Sequence, residues 1–129
     1  MNEIAYFEIQ SNNPEREAAF YHEVFGWEIV KDDAMPIPYY RITTGSIQGA
    51  ILSRPAAVTP MSGTNAFTCS VQVEGFDATA AKIIALGGQE ALPKFAVPGR
   101  CWQGYFLDPD GTVFGIFEAD ENASGDTVL

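Results

Sequence analysis

The chain reads as an α+β fold made of two βαβββ modules, and three observations predict it. Residues 6–30, YFEIQSNNPEREAAFYHEVFGWEIV, run strand, cap, helix, glycine stop, strand. The second half repeats that order, with Gly87-Gly88 ending its helix as Gly26 ends the first. Each half then closes on short segments of period-2 alternation, the pattern of a sheet with two unlike faces. A sheet built this way carries its helices on one outer face and curves its other face around a cavity.

The elements follow in order. Phe7 and Ile9 alternate with Tyr6, Glu8 and Gln10, which predicts a first strand whose apolar side meets the helix. Ser11, Asn12 and Asn13 break the alternation and offer oxygens to the first free helical N–H groups. Pro14 suits the first helical position, and Glu15 and Glu17 oppose the positive end of the helix dipole. Ala18, Ala19, Tyr21, Val24 and Phe25 form an apolar stripe, and Gly26 stops the helix. Strands are expected at 27–31, 39–43 and 47–53. The Pro-, Ser- and Thr-rich stretch at about 55–65 is the linker between module one (about 4–54) and module two (about 66–119). Module two opens with a strand over 67–73, in which Phe67, Cys69, Val71 and Val73 alternate with Thr68, Ser70 and Gln72. A helix follows from Phe76, with Asp77 as its N-cap. Strands at 89–95 (an edge or bulged strand, because of Pro93), 100–107 and 112–118 complete it. The last two are joined by Asp108-Pro109-Asp110-Gly111, a strong turn signal. Residues 120–129 form a polar, acidic tail expected to be mobile. Modules, linker and tail are read as one domain with its tail.

Composition narrows the function. At 129 residues the chain can bury a real core. A net charge of -10 and the lack of Lys or Arg clusters argue against nucleic acid. No apolar run reaches the length of a membrane span, and residues 1–10 do not look like a secretory signal, so a cytoplasmic protein without membrane contact is expected. Cys69 and Cys101 have no metal-ligand spacing and are read as reduced packing residues.

The segments FEI…NPERE-AAFY-HEVFGWE, the GG after the second helix, VPG…W and DPDGTVFGIFE together resemble the vicinal oxygen chelate superfamily, which includes glyoxalase I, bleomycin-resistance proteins, fosfomycin-resistance enzymes and extradiol dioxygenases. The resemblance runs over residues 4 to about 119. It implies four metal-ligand positions, which fall here at Tyr6, at Gly49 or its neighbour, at Thr68 (or Phe67) and at Gly115. Those residues do not make a divalent-metal site, and the only histidine, His22, lies on the first helix. No metal and no cofactor are expected.

The alternation then nominates the cavity wall. Tyr6, Glu8 and Gln10 face it from the first strand, and Thr68, Ser70 and Gln72 from the fifth. If the Asp108–Gly111 turn pairs Leu107 with Thr112, then Trp102 shares a face with Phe117, Gly104 with Gly115, and Phe106 with Val113. The candidate ligand-binding residues are therefore Tyr6, Glu8, Gly49, Thr68, Ser70, Gln72, Trp102, Phe106, Gly115 and Phe117. Such a wall, aromatic with a few orienting polar groups, suits a small molecule. Glu8 and Tyr6 are candidate catalytic residues, Arg41 a candidate partner of Glu8, and Arg100 a candidate anion contact. The large aromatics in excess of what two helices can cover, and the habit of the family, lead to the expectation of a homodimer. Three functions remain open: a metal-free small-molecule binding protein of the bleomycin-resistance type, a metal-independent isomerase or lyase, and an interaction module with a vestigial pocket.

Overall fold

Where the alternation breaks, the chain turns, and the elements follow from those breaks. The computed structural model describes residues 4–54 and 67–125. Over these, β1 (Tyr6–Ser11), α1 (Pro14–Phe25), β2 (Glu28–Lys31), β3 (Tyr39–Thr43) and β4 (Gln48–Ser53) are followed by β5 (Ser70–Gln72), α2 (Phe76–Ala85), β6 (Gln89–Val97), β7 (Cys101–Leu107) and β8 (Val113–Ala119). The chain divides into two compact units, Met1–Thr64 and Asn65–Leu129. Each unit has one four-stranded mixed sheet, ordered β1-β4-β3-β2 in the first and β5-β8-β7-β6 in the second. In both, the first strand pairs in parallel with the last and the remaining pairs are antiparallel. The βαβββ order expected for each half is the order found.

In unit one, the Asn13 side chain accepts the Arg16 N–H at 3.2 Å, Pro14 opens α1, and Gly26 closes it at φ 72°. The helix buries Phe20, Tyr21 and Val24, and the sheet answers with Ile9, Ile42 and Ile51. Full burial of each such aliphatic side chain stabilises the fold by roughly 1.5–3 kcal/mol relative to exposure. Phe7 meets Trp27 edge-on, and Trp27 stacks on Tyr21 and Phe25, which ties the end of α1 to β1. A carboxylate shares this apolar layer. Glu17 is fully buried, accepting the Ser11 hydroxyl and, at 2.7 Å, the Arg16 Nε–H. A buried charge needs such partners, because desolvation alone would expel it.

Unit two packs Phe76 and Ile83 of α2 with Phe106, Phe114 and Ile116. Its cap differs from expectation. Asp77 lies inside the first turn, Gly75 is the N-cap without a side-chain bond, and Glu118 of β8 accepts the Phe76 N–H at 2.8 Å.

Other expectations need correction. The first strand of unit two spans only Ser70–Gln72, because the ladder with β8 extends over three residue pairs. Phe67 and Cys69 therefore do not pack on the helix side; Phe67 is 93% exposed and Cys69 is exposed. β6 does carry irregular register on either side of Leu92, as an edge strand containing Pro93 was expected to do. The start of the tail is docked: Gly99 N–H bonds the Ala123 carbonyl at 3.0 Å, Trp102 Nε1–H bonds Asp120 at 3.0 Å, and Ala123 is buried. The expected linker and the last four residues lie outside the described residues.

Candidate functional site

The pairing register decides which side chains share a face. In unit one, Phe7, Ile9 and Ser11 lie on the side of α1, so Tyr6, Glu8 and Gln10 take the other face, as the alternation predicts. Their register partners there are Gln48, Ala50 and Leu52 on β4, and beyond these Tyr39, Arg41 and Thr43 on β3. Tyr39, Ala50 and Leu52 form one buried cluster, with Ile37 packed against it. On this apolar floor stands a polar chain. The Tyr6 and Tyr39 hydroxyls meet at 2.9 Å, Tyr39 donates to Glu8 Oε2 at 3.4 Å, and Arg41 Nη1–H donates to the Tyr6 hydroxyl at 3.4 Å. Arg41 is anchored by its Nε–H on Asp32 Oδ2 at 2.8 Å, and its guanidinium lies 5.1 Å from the centre of the Tyr39 ring.

Electrostatics follow this geometry. The Tyr39 hydroxyl is pushed up to about 12, first by its hydrogen bond with Tyr6, then by burial and by the charges of Tyr6 and Glu8, with Arg41 opposing. Asp32 is held below the usual carboxylate range, first by the Ala34 N–H and then by Arg41. Arg41 is raised above its ordinary value, chiefly by Asp32. The face therefore presents a hydrogen-bonded phenol pair, Tyr39 of which keeps its proton, between a matched guanidinium and a carboxylate.

In unit two, Ser70 and Gln72 of β5 share the face away from α2 with Gly115 and Phe117 of β8, as expected. The contribution of β7 is the reverse of expectation. Asp108 N–H bonds the Thr112 carbonyl at 2.9 Å, and the Asp108 carboxylate accepts the Asp110 and Thr112 N–H groups, so Leu107 pairs with Val113 instead of Thr112. A shift of one residue turns every side chain of a strand to the other face. Trp102 and Phe106 thus lie on the α2 side, where Lys94 Nζ sits 5.0 Å from the Trp102 ring centre and Phe106 packs on Phe76. Gln103 and Tyr105 take the open face. Gln103 Nε2 donates to Ser70 Oγ at 3.2 Å. Gly115 makes the room for this, since a Cβ there would lie 2.7 Å from Gln103 Nε2.

Gly49 is also corrected. It pairs with Phe7 on the helix side, and a Cβ there would lie 2.6 Å from the Phe7 ring. Thr68 precedes β5, exposed and outside the ladder. His22 is exposed on α1, with Nδ1 2.8 Å from the Trp27 carbonyl, so it serves the helix end. Arg100 is exposed and lies in the turn before β7. Sequence reasoning missed Tyr39, Gln103 and Tyr105. The first was signalled by the pair Tyr39-Tyr40, which must send one ring to each face of β3.

The metal that the superfamily implies does not fit these residues. Its positions hold a phenol (Tyr6), two glycines (Gly49 and Gly115) and an exposed threonine (Thr68), and no group of three His, Cys, Asp or Glu able to hold an ion occurs among the described residues. Glu8 with the hydroxyls around it is a poor donor set for a divalent transition metal.

Paired βαβββ units with parallel first and last strands define the vicinal oxygen chelate class. The sequence model of a glyoxalase-like domain matches residues 6–117, and the chain belongs to that family. Solved structures share the fold. A glyoxalase/bleomycin resistance protein/dioxygenase family enzyme from Burkholderia phytofirmans is 19% identical, with a TM-score of 0.72 over 90% of this chain and 98% of that one. A glyoxalase-related enzyme from Fulvimarina pelagi is 22% identical at a TM-score of 0.72, covering 100% of each chain. The fosfomycin resistance protein FosX from Listeria monocytogenes is 15% identical at a TM-score of 0.73, covering 93% of each. No curated protein matches the sequence. No helix among the described residues is long and apolar enough to cross a membrane.

Proposed function

We propose that the protein binds an organic small molecule without a divalent metal, on the face of the unit-one sheet turned away from α1. The observation that carries this reading is the hydrogen-bonded chain Arg41–Tyr6–Tyr39–Glu8 standing on the buried Tyr39–Ala50–Leu52 cluster. A few directed polar groups on an apolar floor are what a small-molecule site requires. Ser70, Gln72, Gln103 and Phe117 offer a comparable mixed surface in unit two. An isomerase or lyase using Glu8 or Tyr6 is the second reading; Tyr39 beside them, pushed up to about 12, stays protonated and donates hydrogen bonds instead of abstracting protons. The proposal includes a cytoplasmic homodimer, which a monomer in sedimentation at micromolar concentration would overturn.

A thermal-shift screen against metabolites and antibiotics tests the binding function, because a ligand of the folded state raises stability by mass action. Hits are expected whose stabilisation is lost in Tyr39→Phe or Glu8→Gln. A complete absence of hits, or hits indifferent to both substitutions, overturns the assignment to this face. Near one equivalent of a transition metal in protein purified without added metal overturns its metal-free part.

A further inference from the structure

We infer that the unit-one face selects an organic ammonium ion, its N–H groups donated to Glu8 and its apolar body laid against Tyr6; this rests on the small-molecule reading above. Two phenols stand between the two charges of this face. The Tyr6 and Tyr39 hydroxyls meet at 2.9 Å, where either can donate, and the Tyr39 hydroxyl also lies 3.4 Å from Glu8 Oε2. The Tyr6 oxygen in turn accepts from Arg41. The two phenols therefore connect the guanidinium to the carboxylate. Hydrogen bonds connected in a chain polarise one another.

Charge supplies the second step. Arg41 is matched by Asp32 at 2.8 Å. Glu8 has no ion-pair partner among the described residues, and its described hydrogen bond comes from a neutral phenol at 3.4 Å. Glu28 adds another carboxylate to the same face, in the row of Tyr6, Gln48 and Thr43. An anionic ligand would meet unmatched carboxylate and a cation already taken. A neutral donor would gain a hydrogen bond to the carboxylate alone, whereas an ammonium adds the attraction of opposite charges to it. The net charge of -10 also concentrates cations and repels anions. The apolar body has its surface, because Tyr6 remains 41% exposed with its ring on this face.

Three probes with one body and different heads test this: 2-phenylethylamine, 2-phenylethanol and phenylacetate, titrated at millimolar concentration into labelled full-length protein and followed by amide chemical shifts. The amine is expected to move β1 and β3 resonances, to bind about two- to fivefold tighter than the alcohol because Glu8 is exposed, and to weaken with added salt. Glu8→Gln is expected to abolish that preference while keeping the shape of the side chain; Glu8→Asp, read alongside the unliganded spectrum, controls for misfolding. Equal or tighter binding of the alcohol or the carboxylate, no shifts with the amine, or an amine affinity unchanged in Glu8→Gln overturns the inference. If a neutral or anionic hit from the library screen binds this face in a Tyr39-dependent way, the ammonium assignment fails and the small-molecule reading stands. If neither probes nor library perturb the face, both fail.

Discussion

Gly49 on β4 and Gly115 on β8 occupy equivalent strands, each paired in parallel with the first strand of its unit, yet they make room on opposite faces. Gly49 admits the Phe7 ring on the helix side, so in unit one glycine serves the core. Gly115 lets Ser70 and Gln103 meet on the open side, so in unit two it serves the exposed chemistry. The helices differ in the same spirit. α1 is capped locally by Asn13 and encloses a buried Glu17, whereas α2 borrows its N-terminal acceptor from Glu118, far along the chain. One topology is thus held by different local devices, and the element order persists because it depends on alternation and packing more than on any single cap or glycine.

The largest effect is expected where α1 buries a carboxylate and α2 does not. Glu17→Ala leaves the Ser11 hydroxyl without its acceptor and opens a gap in the buried layer, costing about 3 kcal/mol. Urea unfolding measures the loss, and hydrogen exchange should place it in unit one; equal loss of protection in α2 would show that the units do not differ in this way. Gly49→Ala comes next. Its Cβ meets a packed ring, which cannot simply rotate away, so about 2 kcal/mol is expected, against about 1 kcal/mol for Gly115→Ala, where side-chain ends can yield. A reversed order in thermal melts would break the comparison between the two glycines.

The caps sharpen it at smaller scale. Asn13→Ala and Glu118→Ala should each cost about 1 kcal/mol, since each removes one acceptor from a helix start. Glu118→Gln keeps a carbonyl oxygen and should recover more than half of that. Failure of Glu118→Ala to lower α2 helicity or stability would mean that α2 needs no distant cap.

What could be read in the sequence follows the same division. The faces of β1 were legible because alternation over Tyr6–Gln10 is clean and the apolar side must meet a helix. The caps of α1 were legible because Asn13, Pro14 and Gly26 act on their own neighbours. The N-terminal acceptor of α2 was not, since Asp77 looks like a cap locally while the working acceptor is a residue of β8. Trp102 and Phe106 were assigned to the wrong face by a single pairing across the Asp108 turn, which the Asp108 carboxylate decides. Tyr39 needed the β3–β4 register, a long-range fact, before it could be placed beside Tyr6 and Glu8. Residues 120–123 read as a polar tail, yet they dock through backbone bonds that composition does not reveal.

The smallest stability effect, and the most direct probe of the polar chain in unit one, is expected for Tyr6→Phe. The Tyr39 hydroxyl is raised to about 12 with the Tyr6 hydrogen bond as the leading cause, ahead of burial. A raised phenol favours the protonated form in the folded state. Its contribution to stability is therefore fully present below the ordinary value of 10.0 and is lost as pH climbs from there towards about 12. Tyr6→Phe removes the leading cause and should bring the Tyr39 transition down towards 10, shrinking that alkaline window, while neutral-pH stability falls by less than about 1 kcal/mol. Phenolate absorbance, with Tyr39→Phe to assign the transition, reads the shift. Tyr105→Phe is the control from unit two, where Tyr105 stacks on Phe95 and takes no part in the chain; it should leave the Tyr39 transition in place. If Tyr6→Phe leaves it in place as well, burial beside Ala50 and Leu52 is what holds the phenol neutral. The chain from Arg41 to Glu8 would then lose its middle link.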